Sequence, residues 1–305
     1  MVEQSALDEA KKQLSESEKI HSALVIGAGW VGRQIVLQLS AFGIRTSWLD
    51  QSPAALESGM TWLNNQGKVI CTEQGWKISS DHFQRQVHTL TDLSHASDDM
   101  DLIVESVTEQ SSAKRKVLTA ASNRFPNSII ASNSSYFTPS VLQRFVTNAE
   151  RFAHFHFHVP VWKTKLVDIA ACPETSAKTM VRLEELSSRI DQKPLVQLIE
   201  NPGYVFNWML KSLIQSSLQL VQRKVTTPEN VDMAWKSVTG MVVGPFGMMD
   251  QIGLDLVYQT MAAGRFIDGD EAWCPLMELL EPYIQAGKLG VKTGSGFYCY
   301  QDPTG

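Results

Sequence analysis

Short apolar runs alternate with longer stretches of helical periodicity through the first two thirds of the chain. Ser22–Ile26 is one such run, and Trp30–Ala41 after it repeats apolar side chains at helical spacing. Arg45–Leu49, Asp101–Glu105, Ser128–Ser132, Arg151–Phe157, Leu166–Ala170 and Pro194–Ile199 read as further strands, with helices over Glu109–Arg124 and Ser176–Ile190. Buried strands alternating with helices predict an α/β fold, a doubly wound and mostly parallel sheet with helices on both faces. After Asn201-Pro202-Gly203 the texture changes. Val205–Val221 is a long apolar helix, Pro228 starts another, and the remainder is helical with Gly and Pro breaks. The expected division is an extension over 1–20, an α/β domain over 21–200 and an all-α C-terminal domain over 201–305. In the extension, Ala6, Leu7, Ala10 and Leu14 make a helical stripe, which reads as a short surface helix or a frayed end, not a targeting segment.

Composition narrows the class. With 305 residues, 43% hydrophobic and 19% charged, the chain has material for two cored domains. A net charge of −5 without any Lys/Arg run argues against a nucleic-acid or anionic-membrane partner. No run of apolar residues is long enough to span a bilayer. Cys71, Cys172, Cys274 and Cys299 are scattered, which fits free thiols in a reducing cytoplasm.

Gly27-Ala28-Gly29-Trp30-Val31-Gly32 is a G-x-G-x-x-G sequence between a predicted strand and a predicted helix. The first glycine permits the tight turn, the second lets backbone approach a pyrophosphate, and the third lets helix and strand pack closely. The helix N-terminus then faces the phosphate charge. Asp50 closes the second strand, where a carboxylate accepts hydrogen bonds from a ribose hydroxyl and repels the extra phosphate of NADP. Gln51 and Ser52 follow it, so no cation waits for that phosphate. These residues predict a Rossmann-type domain that binds NAD.

Further along, Val104-Glu105 through Glu109 to Lys114, Ser132-Asn133-Ser134-Ser135, His156-Phe157, Lys165-Leu166-Val167-Asp168 and Pro202–Asn207 follow in order. Gly244-Pro245-Phe246 with Asp250, Gly253-Leu254-Asp255, and Lys292–Tyr298 complete the series. In order and spacing the chain resembles the 3-hydroxyacyl-CoA dehydrogenase family over roughly residues 22–300. The lambda-crystallin/gulonate dehydrogenase and carnitine dehydrogenase branches share the layout and act on small 3-hydroxy acids without CoA. The resemblance implies His156 as the general base, Asp168 as the carboxylate that orients and charges it, and Ser135 and Asn207 as hydrogen-bond partners of the substrate oxygen. It also implies that Glu109, Lys114 and Lys292 lie around the nicotinamide half of the cofactor, and that the C-terminal helices make a homodimer. Elementary chemistry agrees. Oxidising a secondary alcohol needs a proton acceptor working near neutrality, which suits an imidazole, while the cofactor takes the hydride.

Three positions depart from the family pattern. The family carboxylate is normally Glu, so the shorter Asp168 is expected to reach His156 through a backbone shift or a water. The family usually has Asn three residues after the histidine, and this chain has Val159. Finally, His154, His156 and His158 alternate with Phe155 and Phe157, which on a strand puts all three imidazoles on one face. Such a face invites a metal reading. The alternative, preferred because the dinucleotide already supplies the redox agent, is that His154 and His158 line a polar cleft beside His156 and that no metal is bound. Trp162 reads equally as a substrate-facing aromatic or a loop anchor.

The segment 51–75 bears on the substrate. In CoA-using relatives it is typically a lysine-rich helical arm, whereas here Lys68 is its only basic residue, against Glu57 and Glu73, and Gly59 and Gly67 weaken it as a helix. Three readings follow: oxidation of an L-3-hydroxyacyl-CoA, oxidation of a small free 3-hydroxy acid, or a catalytically weak dinucleotide-binding protein.

Overall fold

The structure, a computed structural model, describes residues 2–300. Eight strands, β1 (Ser22–Ile26), β2 (Arg45–Leu49), β3 (Val87–Leu90), β4 (Leu102–Glu105), β5 (Ile129–Ser132), β6 (Phe152–Phe157), β7 (Leu166–Ala171) and β8 (Lys193–Gln197), form one sheet in the order β3-β2-β1-β4-β5-β6-β7-β8. All neighbours are parallel except β6 and β7. Residues 158–165 alone join that pair, and a parallel connection needs a longer crossover, so the chain must turn back on itself. Alternate strand residues feed two cores, one on each face of the sheet. Ala23, Val25, Phe155 and Phe157 enter one, and Leu24, Ile26, Ile103 and Ile130 the other.

The strand β3 is absent from the sequence reading. Its four residues, Val-His-Thr-Leu, bury only their two ends and sit at a sheet edge, so they carry no periodic signal. The N-terminal segment is not frayed. Helix Gln4–Gln13 buries Leu7 in the first core, and Lys11 pairs with Glu184 on helix Ala177–Arg189 at 2.7 Å.

Residues 53–73 are helical throughout, with one π-helical turn at Leu63–Gly67. The expectation that Gly59 and Gly67 weaken this arm is overturned by packing. A methyl group on Gly59 would collide with the buried ring of Trp48, and one on Gly67 would press on Leu37 and Phe83. Both glycines are places where the arm lies close against the domain.

The chain divides into two compact units, one ending at Tyr204 and the other beginning at Val205. The second is built of helices, with Leu218, Phe246, Met249, Leu254, Trp273 and Leu280 at its centre. Its last segment is held by buried Asp250, which accepts from the backbone N–H groups of Phe297 and Tyr298 at 2.9 Å each. No described helix is long and apolar enough to cross a membrane.

Candidate active site

The strand order reverses direction at β1, between β2 and β4, and at such a switch point the loops after the strands leave a crevice. The glycine-rich loop follows β1 into this place. Gly27 has a φ of +117°, and a side chain there would strike the Ser106 carbonyl. Gly32 abuts the Gly27 carbonyl, whereas a methyl group on Gly29 would meet nothing within 4 Å. Gly27 and Gly32 thus serve the fold, and Gly29 leaves open space at the start of helix Trp30–Ala41, where a pyrophosphate fits. Asp50 closes the loop from the side: its Oδ2 accepts from Ala28 N–H at 2.7 Å and its Oδ1 from Ser52 N–H at 2.9 Å. Trp30 is exposed beside Trp62, ring centroids 6.0 Å apart, while Val31 packs against the core. Trp162 is a buried anchor, 6.1 Å from Trp62 and packed into the same core. These features fit a dinucleotide.

Beneath the next loop lies a buried charge cluster. The Lys114 side chain is 1% exposed, and its ammonium pairs with Glu105 at 2.9 Å and with Glu109 at 3.1 Å. Glu105 also accepts from Ser132 Oγ at 2.6 Å and from Val107 N–H at 2.8 Å. Glu109 reaches the surface, accepting from the Ser134 hydroxyl and from Tyr136 N–H at 3.0 Å. Lys114, expected at the cofactor, therefore sits under Glu109 and holds it in place. Asn133 accepts from Phe157 N–H at 2.8 Å and ties this loop to β6.

The antiparallel register sets His156 directly opposite Asp168. Cross-strand partners are the closest side chains two strands can offer. The contact is direct, His156 Nδ1 to Asp168 Oδ2 at 3.2 Å, with no need for the backbone shift or water expected from the shorter side chain. A proton on Nδ1 leaves Nε2 as the acceptor, 3.0 Å from the hydroxyl of exposed Ser135. Burial lowers the pKa of His156, opposed by the hydrogen bond to Asp168. Tyr204 stacks flat on the imidazole, 4.5 Å between centroids and 10° between planes.

The two flanking histidines part ways, although the three imidazoles do share a face. His154 is fully buried and does not line a cleft. The Tyr204 hydroxyl donates to the Ser134 carbonyl, so its oxygen accepts from His154 Nδ1 at 2.8 Å. His158 instead meets Asp168, Nε2 to Oδ2 at 2.6 Å. His156 and His158 both direct a nitrogen at Asp168 while His154 is turned to Tyr204, so the three imidazoles do not converge on one point. The roles of Tyr204 and Ser134 escaped sequence reasoning, and His158, read as lining a polar cleft beside His156, is also bonded to Asp168. The only advance signal was the His-x-His-x-His alternation, because nothing in residue spacing tells that Tyr204 returns to β6.

Asn207 and Lys292 belong to the second unit. Asn207 lies in the first turn of helix Tyr204–Gln222. Lys292 is ion-paired with Asp255 beside Gly253.

Comparison with known proteins agrees with this geometry. Residues 22–200 match the NAD-binding domain of 3-hydroxyacyl-CoA dehydrogenase and residues 203–300 its C-terminal domain. A probable 3-hydroxybutyryl-CoA dehydrogenase of Bacillus subtilis is 29% identical, over 94% of this chain and 99% of its own. The solved (S)-3-hydroxybutyryl-CoA dehydrogenase of Ralstonia eutropha superposes with a TM-score of 0.84 at 27% identity, over 93% of this chain and 100% of its own. A diketoreductase that acts on dicarbonyl compounds superposes with a TM-score of 0.83 at 27% identity, over 92% and 99%.

Proposed function

Because this chain belongs to the 3-hydroxyacyl-CoA dehydrogenase family, we propose that it oxidises the hydroxyl carbon of an L-3-hydroxyacyl substrate to the 3-oxo form with NAD, His156 acting as the base. The observation that carries this reading is the line Ser135–His156–Asp168, with contacts of 3.0 and 3.2 Å. Asp168 holds the imidazole in the tautomer whose Nε2 accepts a proton, and it balances the positive charge when that proton arrives. Ser135 donates to the substrate oxygen and keeps it within reach of Nε2. Asn207 is assigned a second hydrogen bond to that oxygen, by the family pattern. NAD, when bound, accepts the hydride. Gly29, with Trp30 and Val31 at the helix start, is assigned to its phosphates on a turn that Gly27 and Gly32 make possible, and Asp50 to its ribose. Glu109, steadied by Lys114, and Lys292 are assigned to its nicotinamide half.

One observation favours a second reading of the substrate's tail. CoA carries three phosphates' worth of charge, which calls for cations or free backbone donors. The helical arm 53–73 presents Lys68 alone against Glu57 and Glu73. Of the two lysines before β7 that could supply cations from elsewhere, Lys165 is engaged with Asp191 at 2.7 Å and Lys163 is exposed. A small free 3-hydroxy acid is thereby favoured over a thioester, in keeping with a relative that acts on dicarbonyl compounds. The test is NAD reduction against matched pairs, such as 3-hydroxybutyrate and 3-hydroxybutyryl-CoA. An advantage for the thioester in kcat/KM above about a hundredfold, ~2.7 kcal/mol, would overturn the free-acid reading. No turnover of any 3-hydroxy compound would overturn both and leave a dinucleotide-binding protein.

A further inference from the structure

The Asp168 carboxylate has two imidazoles on one oxygen. His156 Nδ1 and His158 Nε2 both meet Oδ2, at 3.2 and 2.6 Å, while Oδ1 has no hydrogen-bond partner among the described residues. The ring centroids of the two histidines lie 4.8 Å apart. The shorter contact goes to the histidine that the proposed chemistry leaves idle. We propose that His158 is a positioning residue that shares the Asp168 charge with His156, so that the base gives up its proton more readily than an undivided carboxylate would allow.

The argument is electrostatic and rests on the assignment of His156 as base. An anion stabilises the imidazolium of whichever histidine it faces, and a single buried charge cannot fully serve two. A strong N–H donor on the same oxygen weakens what that oxygen gives the other donor. Burial also lowers the proton affinity of His156, but no other group facing it divides the Asp168 charge. On its own strand His154 is fully buried, bonded to Tyr204, and held neutral by burial, with its pKa well below the ordinary value. From the loop after β4, Glu109 attracts a proton toward His156, but its charge is engaged by Lys114. Tyr204 stacks on the ring as a neutral phenol, its pKa raised by burial, and Ser135 carries no charge. His158 is left as the group placed to divide Asp168. It is more exposed than His156, its side chain at 12% against 6%.

The experiment is an NMR titration of the imidazole carbons in the whole NAD-free protein, beside the pH profile of kcat/KM for oxidation. In the unmodified protein the His156 and His158 signals should move through the same steps, as coupled sites do. In His158→Phe the His156 midpoint should rise by about one unit, a tenfold gain in proton affinity, and the acidic limb of kcat/KM should follow it. The plateau should change by less than about threefold, because the base itself is intact. His158→Gln restores a neutral donor and should keep the midpoint near that of the unmodified protein. Independent titration of the two histidines, or a His156 midpoint that stays or falls in His158→Phe, overturns the proposal. A midpoint that rises while the kinetic limb stays put supports the sharing and removes His156 from the role of base.

Discussion

A histidine serves as a base only where its free nitrogen is uncharged, and His156 meets that condition through burial, which lowers its pKa despite the bond to Asp168. Oxidation should therefore gain kcat/KM as pH rises through a midpoint below the ordinary imidazole value near ~6.5, and lose it as the ring protonates. His156→Ala should lower turnover by about 10²- to 10⁴-fold with NAD binding nearly intact, as kinetics and a binding titration will show. Replacement of His154 should be milder, because that ring is turned toward Tyr204. Chelators should leave turnover unchanged, since NAD supplies the redox chemistry. At the cofactor end, Asp50 bridges Ala28 N–H and Ser52 N–H. Asp50→Ala should weaken NAD binding and narrow the preference over NADP, whereas equal affinity for both cofactors in the unmodified protein would remove the basis of that assignment.

Elements carry their own consequences. The strand β6 puts Phe155 and Phe157 into the core and turns His154 and His156 to the other side, where burial disfavours the charged form of each ring. The pKa of His154 is held well below the ordinary value by burial first, with Lys114 adding to it. Its unfolded counterpart binds a proton that the folded protein refuses. The resulting stability is complete above the unfolded value near ~6.5 and is lost as pH falls below it. Urea unfolding at pH 7.5 and 5.5 should show this loss, and His154→Phe should reduce it. On the helical arm, Gly59→Ala drives a methyl group into Trp48, which is fully buried and cannot retreat. A loss of about 1–3 kcal/mol is expected for such overpacking. An unchanged melting temperature would mean that the arm does not depend on this contact.

At the scale of the molecule, the helical unit carries several strongly exposed apolar side chains. Met233 is 57% exposed, Val238 87%, Met241 47% and Val242 90%, all within one stretch of helix and loop, while Met249 and Met261 are buried. Exposed apolar residues gathered in one stretch suit a partner, and for an identical subunit a twofold axis satisfies both copies at once. The protein should sediment as a dimer, and Val238→Asp combined with Val242→Asp should yield monomers that keep their helical content. Sedimentation of the unmodified protein as a monomer at micromolar concentration would refute this.

The glycine loop, the strands around it, the acidic strand end and the change to helices near residue 200 were legible in the chain because each is local. A hydrophobic period, a turn that demands glycine and a carboxylate closing a strand act within a few residues of one another. The pairing of His156 with Asp168 was legible only by resemblance, since its geometry comes from an antiparallel register. That register also brings His158 to the same oxygen, which no spacing announces. The return of Tyr204 onto His156, the burial of Lys114 beneath Glu109 and the seating of Gly59 against Trp48 depend on segments far apart in sequence. Long-range packing decides which atoms of such segments meet, and on β6 a one-residue change of register would by itself send His156 to the opposite face.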